Sequence, residues 1–162
     1  MKAITPGLSA LALALIATSL PMPAAARGFS RGVSIQGSNG HGLTSNRTVN
    51  RQPGAVSAQR SVQGNNGRGY TSDRNRTCAP GSCTSERSIQ TNGGQGATTT
   101  GSAQWGDGQY QRNKTTTTND GRTLSRSTTA SANGDGSANY SSTVTGPNGE
   151  SHTVSGTVTT QP

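Results

Sequence analysis

The fold is decided by the stretch Ser61–Ile89, SVQGNNGRGYTSDRNRTCAPGSCTSERSI. Short segments rich in Ser, Thr and Arg are separated by an Asn-Gly turn at Asn65–Gly67 and by a Pro-Gly turn at Ala79–Gly81, which a pair of cysteines frames. Such turn sequences reverse the direction of the chain. The stretch therefore predicts a strand, a turn, a strand, a turn and a strand.

The opening of this stretch recurs at a fixed interval. SIQGSNGHG begins at Ser34, SVQGNNGRG at Ser61 and SIQTNGGQG at Ser88, so that each copy starts 27 residues after the previous one. Weaker copies begin at Thr115 and Ser142 and keep the same interval. The chain therefore reads as five units of 27 residues, each expected to form the same structural element.

Turn signals divide each unit in two and arrive 12 to 15 residues apart. They lie at Ser38–Gly40, Pro53–Gly54, Asn65–Gly67, Ala79–Gly81, Asn92–Gly94, Gly106–Gly108, Asn119–Gly121, Asn133–Gly136 and Pro147–Gly149. Even turn spacing without helical periodicity predicts an all-β protein, an antiparallel β-meander of about ten short strands built from the 27-residue repeats. A β-solenoid with one repeat per coil fits the same period and is the alternative.

The segments between the turns alternate two kinds of side chain, which places each kind on one side of a sheet. One side carries hydroxyl and amide groups, and the other carries arginines interleaved with Val, Leu, Ile and Tyr. Pairing the segments about their turns sets Arg47 near Arg60, Arg60 near Arg74, and Arg74 near Arg87. The sequence therefore predicts a row of arginines across one face of the sheet.

Residues 1–26 resemble a secretory signal peptide. Lys2 gives a charged start, an apolar run of 13 residues follows from Leu8 to Leu20, and a small-residue site ends at Ala26. That run is shorter than the roughly 20 residues of a membrane-spanning helix. We expect an exported protein (periplasmic, cell-surface or extracellular) without a transmembrane segment. The expected organisation is signal peptide 1–26, flexible lead-in 27–32 and repeat β-sheet domain 33–162.

Cys78 and Cys83 are the only cysteines, and they bracket Ala-Pro-Gly-Ser. The register about the Pro-Gly turn puts them opposite each other. In an exported chain a close, even pair predicts a disulfide. The Cys-x-x-Cys spacing of redox sites is absent, so we expect a structural staple of a hairpin.

The arginine row is the candidate binding site. Like charges directly opposite each other destabilise a sheet, and few carboxylates are available to relieve them. Such a row suits an anionic polymer: an acidic polysaccharide, lipopolysaccharide or a nucleic acid. The competing interpretation is that solvated arginines keep an open sheet soluble. The candidate polyanion-binding residues are Arg47, Arg60, Arg74, Arg87, Arg112 and Arg126.

Nothing in the sequence predicts catalysis. His41 and His152 lack Cys, Asp or Glu partners at metal-ligand spacing, and no His-carboxylate pair marks a serine as a nucleophile. We therefore expect no catalytic residue, metal, cofactor or small-molecule substrate.

Composition limits how well a single copy of the chain can be ordered. Hydrophobic residues make up 27% of the chain and aromatic residues 3%, so that burial within one copy offsets little of the entropy cost of ordering it. Either much of the monomer is weakly ordered, or the sheet is completed by further copies or by a partner. Composition alone favours disorder, whereas the regular repeat favours an ordered sheet. The sequence thus predicts a non-catalytic surface or extracellular-matrix component that self-associates through β-sheet edges, as a homo-oligomer or fibre. The alternative is a binding module for an anionic polymer.

Overall fold

The computed structural model describes residues 27–159 and is all-β. The strands are β1 (Arg27–Gln36), β2 (Gly42–Gln52), β3 (Ala55–Gly64), β4 (Gly69–Ala79), β5 (Ser82–Thr91), β6 (Gly96–Gly106), β7 (Gln109–Thr118), β8 (Thr123–Ala132), β9 (Ser137–Thr145) and β10 (Ser151–Thr159). They form one open ten-stranded sheet in sequence order, and neighbouring strands are antiparallel. The predicted meander is confirmed. The solenoid is wrong, because its coils would stack in parallel. The expected signal peptide lies outside the described residues.

Two kinds of turn join the strands and alternate from β1 to β8, after which the β8–β9 and β9–β10 turns are both of the three-residue kind. Two-residue turns such as Pro80–Gly81 join strands that pair directly up to the turn. Three-residue turns such as Asn65–Gly67 are closed by the Gly64 N–H, which donates to the Arg68 carbonyl at 2.7 Å. Their last residue is a left-handed glycine, here Gly67 at φ 77°, as in a type I turn followed by a bulge. Strand lengths of 9 to 11 residues fit the 27-residue period.

The first strand begins earlier than the sequence suggested. Residues 27–32, expected as a flexible lead-in, form the first part of β1 and pair with β2 from Arg27 opposite Arg51 onward. Gly28 and Gly32 weaken the local strand signal. The ladder to β2 nevertheless continues through them, and the Arg47 guanidinium lies 5.9 Å from the Phe29 ring centre.

The sheet is a single layer, so that it has almost no interior. Among residues 27–159, Val49 is the only buried hydrophobic side chain, at 2% exposure. It lies between Phe29 of β1 and Ala58 of β3 in the ladder. Ile35 near one edge and Val154 near the other are about 60% exposed. Stability therefore depends on the ladder and on contacts along each face rather than on a core.

The predicted disulfide is confirmed. Cys78 and Cys83 are directly opposite across β4 and β5, with Cα atoms 4.1 Å apart and their sulfurs bonded. The bridge closes the hairpin in the middle of the sheet.

An asparagine ladder runs along the end of the sheet where the turns at Asn65–Gly67, Asn92–Gly94 and Asn119–Gly121 lie. The Asn92 side-chain amide donates to the Gly67 carbonyl at 2.9 Å, one repeat earlier, and to Gln63 Oε1 at 2.8 Å. Asn119 makes the same two bonds to Gly94 and Gln90 at 3.0 and 2.8 Å. The ladder ties turns two strands apart, and the spacing of its donors, Asn65, Asn92 and Asn119, fits the 27-residue interval of the sequence.

Candidate functional site: a cationic face

Every lysine and arginine that lies within a strand points to the same side of the sheet. The ladder fixes this, because residues opposite each other share a face. We call this side the cationic face. Its exposed cations are Arg27, Arg31, Arg47, Arg51, Arg60, Arg74, Arg76, Arg87, Arg112, Lys114 and Arg126.

The cations form short rows rather than one continuous row. Arg31, Arg47 and Arg60 are directly opposite one another across β1, β2 and β3. Further along, Arg74 is opposite Arg87, and Lys114 is opposite Arg126.

The predicted cross-strand pairing of Arg60 with Arg74 is wrong. Arg60 is opposite Ser72, and Arg74 is opposite Ala58, so that the row shifts by two residues between β3 and β4. The three-residue turn Asn65–Gly67 is centred on Asn66. Pairing Arg60 with Arg74 would require a turn centred one residue later, on Gly67. The two arginines remain on the same face as diagonal neighbours.

No carboxylate lies within a strand on the cationic face. Asp73 and Glu86 are opposite Gln59 and Asn75, on the other side of the sheet. That side, the hydroxyl face, otherwise carries Ser, Thr, Asn, Gln, Gly and Ala in its strands. The only ion pair among residues 27–159 is Arg122–Asp120, at 3.2 Å within a turn. The cationic face therefore presents a nearly uncompensated positive field.

The turn carboxylates are held by local hydrogen bonds. The Thr118 hydroxyl donates to Asp120 and lowers the pKa of that carboxyl from its usual 3.8, with Arg122 as a smaller cause. The Ser137 hydroxyl and N–H donate to Asp135 Oδ1 at 2.6 and 2.8 Å and lower its pKa likewise. Both groups are thus engaged in their own turns rather than in neutralising the face.

A groove of about 410 Å³ crosses the cationic face where four of its cations converge. Arg74 and Arg76 of β4 line it together with Arg112 and Lys114 of β7. The cross-strand pair Trp105 and Tyr110 lies at its end. At this groove the cationic face is concave, and it combines positive charge with aromatic side chains.

The candidate arginines taken from the sequence all lie on this face, but the sequence selection was incomplete. It missed Arg27, Arg31, Arg51, Arg76 and Lys114. Alternation within a strand was the available signal for Arg76 and Lys114, because each lies two residues from a selected arginine and so on the same face. Pairing the chain about Asp107–Gly108 would also have placed Trp105 opposite Tyr110. No local sequence pattern indicated that side chains of β4 and β7, with two strands between them, line the same groove.

The described part of the chain has neither a metal-binding cluster nor a helix that could cross a membrane. Within residues 27–159 no group of three or more His, Cys, Asp or Glu side chains could hold a metal ion. None of these residues belongs to a helix of the length and hydropathy that crossing a membrane requires. No family model matches the sequence, and neither a characterised protein nor a solved structure matches it. The function of the chain is therefore inferred from the geometry of the cationic face and of the sheet edges.

Proposed function

We propose that the protein is an exported, non-catalytic structural component whose copies join edge to edge into an extended sheet. The observation that carries this is the pair of open edges. β1 and β10 end the strand order, and their outer sides pair with no strand of residues 27–159. Exposed strand edges are templates for pairing with another chain. Support for export comes from residues 1–26 and from the disulfide.

The free backbone groups of the two edges match. The Gly146 N–H donates to the Glu150 carbonyl, and ladder bonds alternate from there, so that Thr153, Ser155 and Thr157 direct their N–H groups outward. On β1 the Gly37 N–H donates to the His41 carbonyl. The same alternation from that bond means that the N–H groups of Ser30 and Ser34 point outward, away from β2. Both sets belong to the hydroxyl face. A junction that keeps the two faces continuous therefore sets free groups opposite free groups.

Strand count and charge favour joining β10 of one copy to β1 of the next. With ten strands in sequence order, β1 and β10 run in opposite directions, so that copies related by a simple shift pair antiparallel. β10 carries no Lys or Arg, whereas β1 carries Arg27 and Arg31. Joining β1 to β1 would add opposed arginines, which is unfavourable. The head-to-tail junction is open-ended and builds a filament.

A proline in the outer strand tests edge joining. Ser155→Pro removes an outward N–H and none that β9 uses, and edge strands tolerate such a proline. We expect the natural sequence to form filaments at high concentration, detected by light scattering and electron microscopy. Ser155→Pro should remain monomeric with an unchanged β-sheet circular dichroism spectrum, and Ser155→Ala should assemble normally. A natural chain that stays monomeric, or a proline variant that assembles equally well, contradicts the proposal.

A second candidate function is binding of an anionic polymer, and the cationic face is the observation that favours it. Eleven exposed cations on one side, with no strand carboxylate beside them, attract a polyanion whether the sheet is single or assembled. Changing Arg47, Arg60, Arg74 and Arg87 to Gln should weaken retention on acidic polysaccharide and reduce its dependence on salt. Equal retention by the Gln variant would exclude this function while leaving edge joining intact.

A further inference from the structure

The groove of the cationic face has two charged sides and a low floor. Its volume of about 410 Å³ is in the range of small-ligand sites. Arg74 and Arg76 lie along one side, and Arg112 and Lys114 along the other. Their strands, β4 and β7, are three strand spacings apart, or about 14 Å in a flat sheet. The space between them belongs to β5 and β6.

Small residues keep the floor low. Ser85 of β5 is opposite Gly101 of β6, and Gly101 is opposite Lys114. A Cβ at position 101 would lie 3.0 Å from Ser85 Oγ. The φ angle of Gly101 is not left-handed, so the backbone itself does not require glycine there. The missing side chain leaves room in the groove.

An aromatic pair closes one end. Trp105 and Tyr110 are opposite each other across β6 and β7, and Trp105 is 45% exposed although it is the largest apolar side chain in the chain. An exposed tryptophan offers a flat apolar surface with a polar edge, to which the C–H face of a sugar ring is complementary. Arg112 follows Tyr110 by two residues on the same face, beside this surface.

We propose that this groove binds a carboxylated sugar unit of an acidic polysaccharide. The sugar ring lies on Trp105, and its carboxylate is held by Arg112, whose planar fork matches a carboxylate with two parallel hydrogen bonds. Arg74, Arg76 and Lys114 add attraction for neighbouring acidic units. The inference rests on the second proposed function, anion binding by the cationic face, and gives it a ligand class and a place.

The arrangement favours a sugar over a nucleic acid. Single-strand binding platforms stack successive bases on successive aromatics within a basic groove. Here the next aromatic in the row is Tyr140 on β9, two strands beyond Tyr110. β9 and β10 contain no Lys or Arg, so phosphates beside bases on Tyr140 would lack cations. One aromatic platform with cations on both sides suits one ring with an acid group.

Trp105 makes the site directly measurable, because it is the only tryptophan of the chain. Titrating the full protein with a short oligogalacturonate at fixed ionic strength should change its fluorescence saturably. A neutral oligoglucose should leave it unchanged. Polyphosphate and oligothymidylate of similar charge should bind at least about tenfold more weakly at Trp105, a difference of about 1.4 kcal/mol. Equal or tighter binding of either phosphate polymer overturns the assignment to a carboxylated sugar.

A charge-neutral substitution separates the groove from general attraction. Gly101→Val fills the floor without altering charge and should weaken oligogalacturonate binding by at least about tenfold. Gly32→Val is the matched control, because a Cβ there also lies 3.0 Å from one side-chain oxygen, that of Asn46, but on the hydroxyl face. If Gly101→Val disturbs the β-sheet spectrum, two charge-matched double variants decide instead. Arg112→Gln with Lys114→Gln should weaken binding at Trp105 by at least about tenfold, whereas Arg31→Gln with Arg47→Gln removes the same charge outside the groove and should not.

The outcomes distinguish sugar binding in the groove from general anion binding by the cationic face. Retention on acidic polysaccharide that depends on the arginines, with no Trp105 response and no effect of Gly101→Val, refutes the groove and leaves anion binding by the face. Absence of any binding to acidic polymers refutes both. A saturable Trp105 response that Gly101→Val abolishes and Gly32→Val preserves supports both.

Discussion

The asparagine ladder predicts a specific cost for the substitution Asn92→Ala. Its side chain donates one hydrogen bond to Gly67 and one to Gln63, at 2.9 and 2.8 Å. A neutral hydrogen bond contributes about 0.5–1.5 kcal/mol net, and water competes here because Asn92 is exposed. We expect the free energy of unfolding to fall by about 1–2 kcal/mol.

The loss should be local. Strands approach each other closely only where they are neighbours in sequence, and the Asn92 bonds reach only one strand farther. Stability is therefore close to a sum of short-range terms along the sheet, as in repeat proteins. Hydrogen exchange of β3–β6 amides near these turns should accelerate by about tenfold, since 1.4 kcal/mol is a factor of ten. Exchange in β9 and β10 should not change. The assay is residue-resolved exchange on the Ser155→Pro background, which removes assembly as a variable.

Two comparisons sharpen the test. Asn119→Ala removes an equivalent pair of bonds and should cost the same within about 0.5 kcal/mol. Asn113→Ala is the control, because this exposed asparagine in the middle of β7 makes no side-chain hydrogen bond to residues 27–159. If Asn113→Ala and Asn92→Ala shift stability equally, the ladder does not stabilise the sheet and the reasoning fails.

Three further expectations follow from the same structure. Replacing Cys78 and Cys83 by Ser should lower the free energy of urea unfolding by about 2 kcal/mol, because the closed loop is short; reductant should do the same to the natural chain and nothing to the variant. Val49→Ala should cost about 1–2 kcal/mol, whereas Val154→Ala should cost almost nothing, because their exposures are 2% and 62%; equal thermal shifts would contradict the assignment of Val49 as the core. The pKa of Asp120 lies below 3.8 in the folded chain, so its contribution to stability is complete above that pH and is lost as the pH falls through the lowered folded pKa. Thr118→Val should raise this pKa toward 3.8, and an unchanged carboxyl titration by NMR would remove the Thr118 hydrogen bond as its main cause.

Much of the fold was predictable because its signals are local. The turns at Pro80–Gly81 and Asp107–Gly108 are specified by their own residues, and alternation within each strand assigns every side chain to a face. The Cys78–Cys83 pairing followed from one turn. The lead-in was misjudged because Gly28 and Gly32 hide a strand that only pairing with β2 reveals.

The sequence by itself determined the meander, the disulfide and the separation of arginines from hydroxyl groups, since hairpin turns and period-two alternation depend on neighbours in the chain. The tertiary structure alone decided the shift between Arg60 and Arg74, the Asn92 ladder, and the groove whose two sides β4 and β7 supply. The first depends on where a single turn is centred, and the other two depend on the pairing accumulated over several strands. Moving the centre of a turn by one residue moves each partner by two positions and leaves every side chain on its own face, so the alternation within a strand does not record it.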